Sequence, residues 1–269
     1  MSRDGQVLAR ERAATPAHGS GDEMFDLIVA LADRVTLSGA AAPIVCGVGT
    51  GGPMTLGGVE VSPINIPAWR SFPLLSRLST ATGLPTFIDN DAKALALAEG
   101  RFGAAQGIDN YLAMVVSTGV GGGIVLDGRL LDGADGNAGH IGHVCVEPDG
   151  RTCGCGARGC LEAEASGTAI AEFTGRPAAE ASAEIVERTG RMVGRAVATV
   201  ANLLDLRLAV VAGSVALGFG EPFFAAANDE VAARARLQFS SGCEVRRGGL
   251  GADGPLVGAA SVGWRGLDR

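Results

Sequence analysis

Three cysteines fall within one short run, Cys153-Gly-Cys155-Gly-Ala-Arg-Gly-Cys160, and His140, His143 and Cys145 stand just upstream. Cysteines this close along a chain are badly spaced for disulfides and well spaced for a metal. Three thiolates on a glycine-bent loop can converge on one cation, and a nearby imidazole can complete a tetrahedron. Four protein ligands leave no open coordination position, so the pattern points to a structural zinc rather than a catalytic one. Spacing alone does not choose between His140 and His143 as the fourth ligand. Cys145, which alternates like a strand residue, is expected to be buried apolar filler, as are Cys46 and Cys243.

The rest of the chain has to supply a core that can carry such a loop. Of 269 residues, 47% are hydrophobic and only 4% aromatic, so the core must be built from Val, Leu, Ile and Ala. The 42 glycines are about twice the usual share and cluster in loops, as close backbone approach to ligands requires. A net charge of −7 argues against a nucleic-acid partner. No apolar run reaches membrane-spanning length, and Met1–Ala13 has no apolar signal-peptide core. The expectation is a cytoplasmic protein without a membrane or nucleic-acid partner.

Pattern reading then places the elements. Gln6–Arg12 is expected as a short strand. Ser20-Gly-Asp-Glu23 is a capping box opening a helix with Phe25, Ile28, Ala32 and Val35 on one face, ending at Gly39. Ile44–Val48 is expected as a buried strand, Leu74–Thr82 as a helix stopped by Gly83, Thr86–Asp89 as a strand, and Ala92–Glu99 as a helix. Tyr111–Val116 and Gly122–Leu126 read as a hairpin-like pair. A helix near Glu162–Phe173, a long amphipathic helix over Glu184–Leu204 and a strand over Leu208–Ala212 follow. The last helix starts at Gly254-Pro255, with Pro at its permitted first position. Strands alternating with helices, with hairpin-like pairs mixed in, indicate an α/β protein with mixed sheets.

Two further patterns carry chemistry. Ser117-Thr-Gly-Val-Gly-Gly-Gly123, between two strands, can wrap a phosphate with backbone N–H groups, or can be a plain tight turn. It is neither a P-loop nor a dinucleotide fingerprint. Asn90-Asp91 at a strand end offers a carboxylate as general base to a substrate hydroxyl, or a helix N-cap.

In this order, a strand-end Asn-Asp, a glycine-rich hydroxyl loop, Gly-His and Cys-x-Cys-Gly-x-x-Gly-Cys-Leu-Glu resemble the ROK family of bacterial sugar kinases and sugar-responsive repressors. The likeness runs from about Gln6 to the C-terminus, and the cysteine segment is its most specific part. It implies an actin–hexokinase-like (ribonuclease H-like) two-domain α/β fold around a cleft where sugar and ATP meet. The small, sugar-binding domain would be 1–91 with the C-terminal helix 254–269. The large domain, 92–253, would hold the nucleotide and the zinc. The resemblance implies Asp91 as catalytic base toward a sugar 6-hydroxyl. It also implies Gly52, Asn65, Asn90, His140, His143 and Glu162 at the sugar. Thr118, Gly119, Gly121, Gly122, Gly213 and Ser214 would border the ATP. The zinc set would be His143, Cys153, Cys155 and Cys160. ATP, Mg2+ and a structural Zn2+ follow, as does a homodimer.

Two departures from the family pattern matter. Most ROK kinases carry Glu where this chain has His140; histidine there, as Ala-Gly-His-Ile-Gly-His, is similar to the N-acetylmannosamine kinases. A neutral imidazole donates or accepts one bond per nitrogen, whereas a carboxylate only accepts. The expected substrate is therefore N-acetylmannosamine, with glucose as the alternative. The second departure is the first phosphate loop, Asp-x-Gly-Gly-Thr, which occurs nowhere in the 269 residues. It should precede Gln6, so the expectation is a start placed too late and reduced activity of the chain as it stands. A catalytically inactive sugar-binding protein or repressor-like regulator is the other reading.

Overall fold

The computed structural model describes residues 1–16, 19–38, 42–64 and 66–269. In chain order the helices are α1 (Gly21–Ser38), α2 (Leu74–Thr82), α3 (Asp91–Phe102), α4 (Leu161–Ala165), α5 (Gly167–Thr174), α6 (Ala183–Leu204), α7 (Ser214–Phe219), α8 (Glu221–Arg234) and α9 (Gly254–Leu267). The strands are β1 (Cys46–Thr50), β2 (Thr86–Asn90), β3 (Tyr111–Val116), β4 (Val120–Leu126), β5 (Arg129–Leu130), β6 (Leu208–Ala212) and β7 (Glu244–Arg247). They divide between two compact units. The first is Met1–Ala98 with Asp132–Ala138 and Ala252–Arg269; the second is Glu99–Leu131 with Gly139–Gly251.

In the first unit β1 and β2 pair in parallel, with Thr50 opposite Asn90. The capping box forms as the sequence predicts: the Ser20 N–H donates to Glu23 Oε2 at 2.7 Å, and the Glu23 N–H to Ser20 Oγ at 3.2 Å. Phe25, Val61, Trp69, Phe72, Leu74, Leu78 and Ile88 make the core, with the Trp69 and Phe72 rings stacked 4.7 Å apart. Helix α9 lies so close to β1 that a Cβ on Gly47 would sit 2.0 Å from the Ala259 carbonyl oxygen, so only glycine fits there. Gly83 ends α2 at φ 67°, as expected. Gly39, the expected end of α1, lies outside the described residues. Gln6–Arg12 is not a strand. Among the described residues β1 pairs only with β2, and an extended segment without a hydrogen-bonded neighbour forms no sheet. Ion pairs tie this stretch instead, Arg3 ahead of it with Asp268 and Arg10 within it with Asp253.

The second unit holds a five-stranded mixed sheet in the order β5-β4-β3-β6-β7. β3 and β4 form the expected hairpin, and β3, β6 and β7 run parallel. Its core is aliphatic, from Leu112 and Met114 on β3 to Val193 and Val197 on α6, with Phe223 added from α8. The single helix expected near Glu162–Phe173 is two. Ser166 breaks it in extended conformation (ψ 155°), and its hydroxyl accepts the Ala169 N–H at 3.1 Å to restart α5.

One buried charge network braces the first unit. The Lys93 ammonium reaches Asp89 Oδ1 at 2.9 Å, Asp132 Oδ1 at 3.1 Å and the Gly136 carbonyl at 3.0 Å, which uses its three donors. Arg265 bonds the second oxygen of each carboxylate, at 3.2 Å to Asp89 and 2.9 Å to Asp132. Burial alone would raise the Asp132 pKa. The bonds from Arg265 and Lys93, the Arg265 charge and the Arg269 bond outweigh it and bring the carboxyl down to about 2 from 3.8. A depressed folded-state pKa stabilises above the unfolded value and loses that contribution as pH falls through the folded one. Urea unfolding should therefore show stability falling as pH drops from about 4 toward 2, and Asp132→Asn should flatten that part of the profile. A variant with an unchanged acid limb would remove Asp132 from the network's account.

Candidate active site and metal centre

β2 ends at Asn90 and α3 starts at Asp91. Asn90 is the cap of this helix: its Oδ1 accepts the N–H of Ala92 at 3.0 Å and of Lys93 at 3.4 Å. The capping alternative offered to Asp91 falls mainly to the preceding residue, which takes two of the N–H groups. Asp91 is exposed at the first helical position, with Oδ1 2.8 Å from the Ala92 N–H, and the helix dipole favours its negative charge. Gly52 follows β1, and its carbonyl accepts the Ile64 N–H at 3.3 Å. Asn65 lies outside the described residues. Asn90, Asp91 and Gly52 belong to the first unit.

The other site residues belong to the second unit, and there they converge. The β3–β4 turn closes through the Ser117 N–H on the Gly119 carbonyl at 2.9 Å. The segment from α4 to the start of α5 cradles this turn. Gly167 N–H donates to the Ser117 carbonyl at 2.7 Å, and the Thr168 hydroxyl to the Thr118 carbonyl at 3.0 Å. Glu162 Oε2 accepts the Val120 N–H at 3.1 Å. Gly121 and Gly122 continue into β4, opposite Val115 and Met114. Ser214 meets the same turn, its Oγ 2.9 Å from Ser117 Oγ. Gly213 allows that approach: at φ 101° a Cβ there would lie 2.3 Å from the Val116 carbonyl. Thr168 escaped the sequence reading, since its contact lies fifty residues away along the chain.

His140 and His143 bracket a single 3-10 turn, Ile141–His143, with rings 6.1 Å apart. The ligand atoms of His143, Cys153, Cys155 and Cys160 all lie within 4.8 Å of one another. Two of the edges are 3.6 Å, Cys153 Sγ to His143 Nδ1, and 3.8 Å, Cys155 Sγ to Cys160 Sγ. A tetrahedron with metal–sulfur bonds of about 2.3 Å has S···S edges of roughly 3.8 Å, so the donor set fits one tetrahedral soft-ligand metal. Thiol crowding agrees. Burial, then the Cys155 and Cys153 thiols, push Cys160 up to about 12, whereas the Ala157 backbone leads in lowering Cys155. For all three to be thiolates together, a cation would have to sit among them.

The choice left open by spacing thus falls on His143, not His140. Cys243 is buried as expected, and burial with Glu244 nearby raises its thiol to about 11. Cys46 is only half-buried. Cys145 is exposed, against expectation. The alternation is real, but Val144 and Val146 take the core side and Cys145 the solvent side.

Among the described residues no helix is long and apolar enough to cross a membrane. The family model of the ROK family matches residues 1–264. A glucokinase from Thermotoga maritima is 33% identical over 97% of this chain and 92% of its own length. An N-acetylmannosamine kinase from Escherichia coli is 37% identical over 82% of this chain and 79% of its own length. A crystal structure of a ROK family glucokinase from Streptomyces griseus, in complex with glucose and AMPPNP, matches with a TM-score of 0.82 at 28% identity, over 98% of this chain and 94% of that one. The fold is the actin–hexokinase-like α/β fold with mixed sheets, and the chain belongs to the ROK family.

Proposed function

We propose that the protein is a sugar kinase that transfers the γ-phosphoryl group of Mg-ATP to the 6-hydroxyl of a hexose or N-acetylhexosamine, with N-acetylmannosamine as its substrate. The observation that carries this reading is the division of labour at the start of α3. Asn90 caps the helix through the Ala92 and Lys93 N–H groups, and Asp91 next to it presents an exposed carboxylate at the end of β2, one oxygen of which also meets the Ala92 N–H. Asp91 accepts the proton of the 6-hydroxyl as that oxygen bonds to the γ-phosphorus and the bond to the ADP oxygen breaks. Asn90, Gly52, Asn65, Glu162 and the His140–His143 turn hold the sugar. The glycine turn with Thr118, Gly119, Gly121 and Gly122, and the Gly213-Ser214 turn, hold the nucleotide phosphates with backbone N–H groups. The experiment is ADP release with each of N-acetylmannosamine, N-acetylglucosamine, mannose and glucose, measured beside calorimetric binding of the same sugars and of Mg-AMPPNP. A protein that shows no turnover and binds none of these ligands overturns the kinase reading. Asp91→Ala should lower kcat by about 10²–10⁴-fold while calorimetry still detects sugar binding.

His140 supports the choice of sugar. An imidazole supplies a donor as well as an acceptor, which suits an acetamido group better than a carboxylate does. His140→Glu should move the ratio of kcat/KM for N-acetylmannosamine over glucose toward glucose by about tenfold, the worth of one hydrogen bond made or lost. An unchanged ratio would detach His140 from sugar selection.

The metal is inferred to be zinc, held by His143, Cys153, Cys155 and Cys160 as a structural centre, since four protein ligands close the coordination sphere. Elemental analysis should find one zinc per chain. Chelation should lower the melting temperature while far-UV circular dichroism keeps its helical signature, because the five-stranded sheet and α6 have their own backbone ladders and a shared aliphatic core. Metal-free purified protein of wild-type stability would sink the assignment.

A further inference from the structure

Glu162 is placed to do more than touch a sugar. Its carboxylate abuts the glycine turn at two points. Oε2 accepts the Val120 N–H at 3.1 Å, and a Cβ on Gly119 would come within 3.0 Å of the same oxygen. The other oxygen, Oε1, makes no hydrogen bond among the described residues. The side chain rides on α4, a helix of five residues fixed at both ends. Cys160 of the metal tetrad is its N-cap residue, and the Leu161 N–H donates to the Val144 carbonyl at 2.9 Å. At the far end, Gly167 and Thr168 bond the Ser117 and Thr118 carbonyls of the same glycine turn. A charged acceptor on a braced helix, bonded to a backbone N–H of an otherwise glycine-rich turn, sets the conformation of that turn.

We infer that Glu162 is a positioning residue that couples sugar to nucleotide: one carboxylate oxygen holds the 117–120 turn while the other receives a sugar hydroxyl. The inference rests on the kinase reading for the identity of the two ligands. A hydroxyl on Oε1 restricts the carboxylate's rotation and fixes Oε2 on Val120, so a bound sugar pre-orders the turn that takes the phosphates. By linkage the nucleotide must tighten the sugar by the same factor.

The test is calorimetric binding of Mg-AMPPNP with and without saturating N-acetylmannosamine, to the wild type, Glu162→Ala and Glu162→Gln. In the wild type, sugar should tighten the nucleotide by about fivefold or more. Glu162→Ala should weaken nucleotide binding about tenfold even without sugar and bring the coupling ratio to one. Glu162→Gln keeps an acceptor for the Val120 N–H. Its sugar-free nucleotide affinity should stay close to wild type while the coupling ratio falls. A purely structural role would lower the melting temperature without this split, and Glu162→Gln decides the matter where the alanine variant does not fold. Wild-type nucleotide affinity and wild-type coupling in both variants overturn the inference. So does a wild type that binds both ligands independently, which leaves the kinase reading standing. A wild type that binds neither ligand overturns the kinase reading, and the inference with it.

Discussion

Glu164 has no exposed surface, and a carboxylate in that position has to be met by charge. Two guanidinium groups meet it. Arg151 donates from its side chain to Oε2 at 2.5 Å and from its backbone N–H to Oε1 at 2.6 Å, and Arg188 of α6 also binds Oε2. Arg188 also reaches the Glu164 carbonyl at 2.8 Å. Burial pushes the Glu164 pKa up, but these bonds outweigh it and the carboxyl ends below its ordinary value. Arg195, two turns further along α6, adds the Val146 carbonyl at 3.1 Å and Glu147 at 2.9 Å. The cysteine loop is thus bolted to the longest helix of its unit by cations at two heights. Everything the loop carries inherits that rigidity: the metal tetrad, the short helix α4, and through Glu162 the glycine turn.

The first unit solves the same problem with the opposite sign. There the deeply buried charge is a cation, Lys93, and two carboxylates meet it. Its position two residues after Asp91 places the network under the first turn of α3. The start of that helix is therefore set twice, by the Asn90 cap at its end and by Lys93 on its inner side. Lys93 and Asn137 together fix the Asp132–Ala138 segment, the latter through the Met54 carbonyl at 3.2 Å. Neither network was visible in the sequence. Lys93 stands in an alanine-rich helix, and its partner Asp132, like the Arg265 that bonds the same two carboxylates, lies far away along the chain.

What was legible follows from local physics. The capping box at Ser20, the helix stopped by Gly83 and the strands Tyr111–Val116 and Leu208–Ala212 all came from short-range rules, and the structure places them as read. The cluster of four metal-ligand side chains was legible, because three of them share one loop; spacing left the histidine open, the family resemblance pointed to His143, and the structure brings His143 to the cysteines. Elements whose character depends on a distant partner were misread or passed over. Gln6–Arg12 has the composition of a strand but no neighbour to pair with. β7, with the sequence Glu-Val-Arg-Arg, buries only Val245 and reads as polar loop, yet its backbone completes the sheet edge beside β6. Cys145 has the alternation of a buried residue and lies on the wrong side of it.

The 3-10 turn at Ile141–His143 shows how a metal site and a changeable specificity can share a few residues. The turn closes through the His143 N–H on the His140 carbonyl at 3.1 Å, a bond made by backbone and indifferent to the side chain at position 140. Ile141 and Gly142 between them are buried, and a Cβ on Gly142 would lie 2.3 Å from the Val120 carbonyl, so the turn sits flush on β4. His143 faces the cysteines from one end, and the His140 ring stands 6.1 Å away at the other. The bond that closes the turn and the four metal ligands do not include the side chain at 140. β4 and the backbone bond hold the turn, so the residue at its start can differ in side chain while the backbone stays the same.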